Sequence, residues 1–225
     1  MEYKIIGETF PIIEFTLEKP DRIYCQSHAV MYLDDNAVFS TRVTGGNIKG
    51  LKRMIIREPF FLNELSVAES ATSCVIGVAG AGLGKIVPIP ITPATPYLFQ
   101  KGAFLAAEST VALDIAFTKK LGAGLFGGEG FLFQYLHGNW MAFAKTIGGI
   151  HIMHLAEGET IRVDTGRIVG FERTINYDIT RVKGASSILF GGEGLFFSTL
   201  TGKGTVILQS GLANLKGMAK AETYR

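Results

Sequence analysis

The chain has 225 residues, 47% of them hydrophobic, 19% charged and 11% aromatic, enough apolar material for a substantial core without a disulfide framework or a structural metal. That excludes a small disulfide scaffold and a disordered tail. With 22 Lys and Arg against 20 Asp and Glu the formal charge is +2, too balanced to name nucleic acid, a membrane or an acidic substrate as partner.

The 28 glycines and 16 phenylalanines predict an all-β fold of apolar strands joined by tight turns. At the start, residues 1–8 lack the basic opening and apolar run of a secretory signal, so export is not expected. Residues 23–32 read as hairpin-like and carry Cys25, which with the distant Cys74 forms no zinc spacing; buried thiols in a reducing compartment are expected. From residue 42 to 57 the only charges are Arg42, Lys49, Lys52, Arg53 and Arg57. This basic run suits an anionic surface, phospholipid headgroups or RNA phosphate. A solvated loop that keeps an oligomer soluble explains the same charges and ranks somewhat ahead.

Residues 44–53 have room for a helical turn or two, but glycines interrupt it. Between 74 and 99 the apolar sequence is cut by Gly77, Gly80, Gly82, Gly84 and Lys85 and then by Pro88, Pro90, Pro93 and Pro96. A spanning helix needs about 20 mainly apolar residues, so this segment reads as strand, turn and linker of a soluble protein. Within it, Gly80 to Lys85 has Ala79 where a phosphate loop has its leading glycine and Ile86 where it has Ser or Thr, and the nucleotide reading fails. A second hairpin-like stretch covers 104–113. The glycines from Gly122 to Gly127 match a dinucleotide loop in spacing but lead into a strand, so a turn is expected there. His151 and His154, three apart on a strand, face opposite sides, which leaves a metal a minor reading. Residues 161–171 contain the clearest turn, Thr165-Gly166, between two β-rich runs. Asp164, Asp178 and Glu193 have no spacing that indicates acid or base work. Residues 205–209 read as a strand, and 212–222 as a short, glycine-interrupted helical stretch.

The chain repeats itself. Glu58 through Leu65, Glu129 through Leu136 and Glu193 through Leu200 each read as a glutamate, a turn former, large apolar residues and a closing leucine. One strand face is apolar, polar, apolar in every copy: Phe61, Asn63, Leu65; Leu132, Gln134, Leu136; Phe196, Ser198, Leu200. The opposite face is apolar as well, which suits strands held inside a sandwich or prism. The expected architecture is a single domain over 1–225 of three repeats, about 1–80, 81–150 and 151–225, forming a β-sandwich or double-stranded β-helix of β-prism type. Glu58, Glu129 and Glu193 then occupy equivalent positions. Either each accepts amide hydrogens of its own glycine-rich turn, or the three converge on a hard cation such as calcium; Gly128, Gly130, Gly192 and Gly194 beside two of them favour the turn role.

Residues 158–166, 169–172, 176–179, 189–195 and 200–210, together with Gly45-Gly46, Gly50 to Arg53, Glu58 and Phe60 to Asn63, resemble a family of conserved bacterial proteins whose eukaryotic relatives are the altered-inheritance-of-mitochondria proteins. The resemblance covers nearly the whole chain. It implies a fold similar to the tryptophan RNA-binding attenuation protein, a tendency to form rings or other oligomers, and no catalytic residue set. The mitochondrial relatives are linked to inner-membrane organisation. Arg57-Glu58-Pro59 departs from the family's glycine-rich turn, because Pro fixes φ and removes a donor. With no mitochondrial presequence, the expected setting is the bacterial cytoplasm, with contact to a membrane surface as an option. The expected function is a non-enzymatic, homo-oligomeric scaffold or binding protein without cofactor or metal; the alternative is RNA or anionic-membrane binding through the basic run.

Overall fold

The computed structural model describes residues 1–44, 60–80, 82–117, 132–181 and 196–213. Nineteen strands carry the described fold. They are β1 (Glu2–Ile6), β2 (Ile12–Glu18), β3 (Arg22–Gln26), β4 (Val30–Leu33), β5 (Ala37–Thr44), β6 (Phe60–Val67), β7 (Ser73–Ala79), β8 (Ile86–Ile91), β9 (Tyr97–Gln100) and β10 (Phe104–Glu108). The remainder are β11 (Val111–Phe117), β12 (Leu132–Gly138), β13 (Trp140–Lys145), β14 (Ile150–Leu155), β15 (Thr160–Asp164), β16 (Ile168–Glu172), β17 (Asn176–Arg181), β18 (Phe196–Thr201) and β19 (Gly204–Gln209). Every pairing is antiparallel, and the only described helix is one 3-10 turn, Thr165–Arg167. The all-β expectation holds.

The strands form four sheets: β1-β2-β7-β4, β5-β6-β3-β10-β13-β8, β11-β12-β9-β16-β19-β14 and β15-β18-β17. Three apolar cores lie between successive sheets. Phe15 and Ile76 of the first sheet meet Ile23, Cys25, Leu65 and Phe143 of the second. Tyr24, Leu62 and Phe104 of the second meet Phe99, Leu136 and Ile207 of the third. Leu98, Phe133 and Phe171 of the third meet Val163 and Leu200 of the fourth. Neighbours along one strand therefore serve different cores, Tyr24 on one side and Ile23 and Cys25 on the other, which is why these strands lack a polar face. Each fully buried large side chain stabilises the stack by about 1.5–3 kcal/mol. Tyr24, buried whole, donates its hydroxyl to the Val111 carbonyl at 2.6 Å and stacks on Phe104, so its polar tip is satisfied.

Four sequence expectations are corrected. Residues 23–32, 104–113 and 161–171 are not hairpins: β3 and β4, β10 and β11, and β15 and β16 belong to different sheets. Each turn is a corner that carries the chain from one sheet to another. At Thr165-Gly166 the corner is the 3-10 turn, held by Asp164, whose carboxylate accepts the Gly166 amide at 3.0 Å. The proline-rich segment is not a linker at this point either, since Pro88 and Pro90 lie within β8, opposite Phe143 and Met141. β8 is the edge of its sheet, where a residue without N–H is tolerated.

The pairing order itself recurs. β5-β6-β3, β11-β12-β9 and β17-β18-β15 are built alike, as are β4-β7-β2, β10-β13-β8 and β16-β19-β14. Thr41 faces Asn63, Ile115 faces Gln134 and Ile179 faces Ser198, and these three polar residues are buried. A bulge falls at the same place in β4, β10 and β16.

Candidate functional site

Arg42 lies on β5 opposite Leu62, while Lys49, Lys52, Arg53 and Arg57 fall outside the described residues. Glu58, Glu129 and Glu193 also lie outside them, in the segments joining β5 to β6, β11 to β12 and β17 to β18. The helical stretches read at 44–53 and 212–222 fall almost wholly outside as well.

His151 and His154 are on β14, opposite Leu208 and Thr205 in an unbroken register with β19. Without a bulge the two rings point to opposite faces, and His154 Nδ1 lies 3.2 Å from the Thr205 hydroxyl. Among the described residues no three His, Cys, Asp or Glu side chains come together as metal ligands. Both cysteines are free, buried and part of the same core. Burial pushes the Cys25 thiol up to about 12, and burial with the nearby Asp34 carboxylate raises Cys74; neither is a thiolate at neutral pH.

The other perturbed groups are built into sheets. Lys145, its charge disfavoured by burial, donates to Gln26 Oε1 at 2.6 Å, tying β13 to β3 across one sheet. Burial raises Tyr177, whose ring stacks on Phe171 and whose hydroxyl accepts from Ser198 at 3.2 Å. Ser198 also bonds the Thr165 hydroxyl at 2.8 Å. Around the rejected phosphate loop, the Lys85 amide donates to Thr146 Oγ1, and a Cβ at Gly84 would lie 1.8 Å from the Thr146 carbonyl oxygen. That glycine is required by chain packing.

One row across the outer face of the first sheet is polar, with exposed Ile6 and Met31 beside it. Lys4, Glu14, Gly77 and Tyr32 are successive register partners. Glu14 pairs with Lys4 at 2.6 Å and accepts the Tyr32 hydroxyl; these bonds hold its carboxyl below the usual range and raise Tyr32. At the far end the fourth sheet turns exposed Thr160 and Arg162 outward. What remains chemically open is main chain: among the described residues each sheet ends in strands with an unpaired edge, β4 and β15 among them. The sequence reading missed both, because it took each strand as half of a local hairpin. The one signal was Met31, an apolar residue with no place in such a hairpin's core.

Residues 3–211 match the family model described as mitochondrial biogenesis AIM24. An uncharacterized protein of Streptococcus pyogenes serotype M6 is 28% identical over 209 residues, covering 89% of this chain and 82% of its own. A crystal structure of a Streptococcus pyogenes protein superposes with a TM-score of 0.73 at 23% identity, covering 97% of this chain and 96% of that one. At that identity the likeness concerns the fold.

Proposed function

The chain belongs to the mitochondrial biogenesis AIM24 family, and from that premise we propose that it works as a non-enzymatic, homo-oligomeric scaffold or binding protein. It acts as a single domain over residues 1–225, built of three units at about 1–80, 81–150 and 151–225. We place it in the bacterial cytoplasm, with a membrane surface as a possible site of contact; no helix among the described residues is long and apolar enough to cross a bilayer. One observation carries the reading. Among the described residues, the well-buried groups whose pKa is shifted, Cys25, Lys145 and Tyr177, each lie within the sheets, where burial serves packing instead of opening onto a cleft.

Assays of the purified protein against hydrolase and oxidoreductase substrate panels test it. The expected result is no turnover above background. Reproducible turnover abolished by a single polar substitution contradicts it.

The five positive charges without an acid between residues 42 and 57 favour a second reading, RNA or anionic-membrane binding. Replacing Arg42, Lys49, Lys52, Arg53 and Arg57 with Ser then abolishes RNA gel shifts or liposome flotation. Affinity for RNA falls with salt by about 0.7 to 0.9 log units per contacted phosphate per log unit of salt. Equal behaviour of both proteins ends this reading.

A further inference from the structure

Two junctions inside the chain are built by one rule. β3 pairs with β10, matching Cys25 to Ala106, Tyr24 to Ala107 and Ile23 to Glu108. β9 pairs with β16, matching Phe99 to Gly170, Leu98 to Phe171 and Tyr97 to Glu172. In the recurring pairing order, β15 stands where β3 and β9 stand, and β4 stands where β10 and β16 stand. Among the described residues, β15 has no strand of the β4 type beside it, and β4 has none of the β15 type. They cannot meet within one chain: β4 belongs to the first sheet and β15 to the fourth, with two full sheets between.

Exposure marks what is missing. The bulge residues Leu105 in β10 and Val169 in β16 are both 0% exposed, whereas Met31, the bulge residue of β4, is 61% exposed. Leu105 and Val169 are buried in the cores shared with the preceding sheet; the first sheet has no preceding sheet among the described residues, so Met31 stands in water on a face that a paired β15, bringing its own sandwich, would cover. An unpaired edge also offers a row of main-chain donors and acceptors to another chain.

We propose that a second copy of this chain fills these edges head to tail, β15 of one copy pairing antiparallel with β4 of the next. Continuing the internal register sets Val163 opposite Tyr32 of the partner subunit, Arg162 opposite Leu33 of the partner subunit, and Ile161 opposite Asp34 of the partner subunit. The interface is heterologous, so copies add in one direction and either close into a ring or extend. This inference rests on the homo-oligomeric reading above and gives it a surface and a register.

The test uses the full chain in three forms. Arg162→Cys and Leu33→Cys variants are purified separately and oxidised alone and mixed; directly opposed residues of an antiparallel pair lie within disulfide reach. Met31→Glu changes a side chain exposed in the single chain, so it folds, and its assembly is followed by light scattering against concentration. The expected results are a mass of two or more chains for the unaltered protein, covalent dimers in the mixture but in neither single variant, and assembly weakened at least about tenfold by Met31→Glu. An assembly with no mixed cross-link and no response to Met31→Glu overturns this interface while leaving the oligomeric reading in place. Cross-linking of Leu33→Cys with itself shows two-fold β4 pairing and overturns it too. A single-chain mass at all concentrations ends both, and the substrate panels still judge the non-enzymatic reading independently.

Discussion

The β9–β16 junction and the outer edge of β4 are made of comparable strands in opposite circumstances. Phe171, in β16, is enclosed by Phe133 and Tyr177 at ring distances of 5.2 and 5.6 Å. Tyr32, in β4, lies over Gly77 with its ring in partial contact with solvent and its hydroxyl on Glu14. The same kind of strand is thus core where sheets cover both of its faces and surface where one face is left open. Burial on both faces follows from the number of neighbours more than from the strand's own composition.

The sharpest way to break this comparison is by truncation. Phe171→Ala removes a fully buried ring and is expected to cost about 3–5 kcal/mol by urea denaturation, while Tyr32→Ala is expected to cost under about 1 kcal/mol. Equal losses contradict the distinction. A methyl group provides a finer probe. At Gly170 an added Cβ would lie 2.5 Å from the Phe99 ring and 2.8 Å from the Leu98 carbonyl oxygen, both held in the core, so Gly170→Ala is expected to destabilise by about 1–3 kcal/mol. At Gly77 the Cβ would meet the Tyr32 ring at 2.2 Å, but that ring can swing outward, so Gly77→Ala is expected to change stability by less than about 0.5 kcal/mol.

Ser198→Ala, which removes the hydroxyl shared with Thr165 and Tyr177, is expected to lower stability by about 1–2 kcal/mol. The pH dependence has a definite sign. Because Cys25 has its folded value raised to about 12 from 9.0, its buried thiol supports the fold fully below pH 9. That support is lost as pH rises toward 12, because only the unfolded state ionises freely. Denaturation midpoints therefore fall through this window, and fall less in Cys25→Ala, which starts from a lower stability at neutral pH. A minor effect is expected at the outer face, where Lys4→Ala removes an exposed ion pair with Glu14 that solvent screens; a thermal melt checks it.

Strand content was legible wherever the sequence states which residues are buried. Phe61, Asn63 and Leu65 alternate on β6, with Asn63 donating to the Ser27 carbonyl and Leu65 wholly enclosed. Partner choice was not legible. Thr165-Gly166 reads as a hairpin turn because turn residues specify only a local reversal. Whether the next strand returns to the same sheet depends on apolar faces far away, such as Phe99 and Leu98 waiting for β16. Pro88 and Pro90 read as linker residues because the outward-facing edge that accommodates them exists only once the sheet is assembled. As for the candidate site, the basic run was legible as charge, but only Arg42 falls on a described strand. The open edges follow from the pairing order, which no local pattern encodes.

Amide hydrogen exchange, read strand by strand over a dilution series, tests most directly the claim that β4 and β15 are the unfilled counterparts of the paired interior strands. The account predicts that β3, β9, β10 and β16 stay protected at every concentration, while protection of β4 and β15 appears together as concentration rises. Exchange in β4 and β15 that is fast at all concentrations, or protection in only one of them, contradicts it.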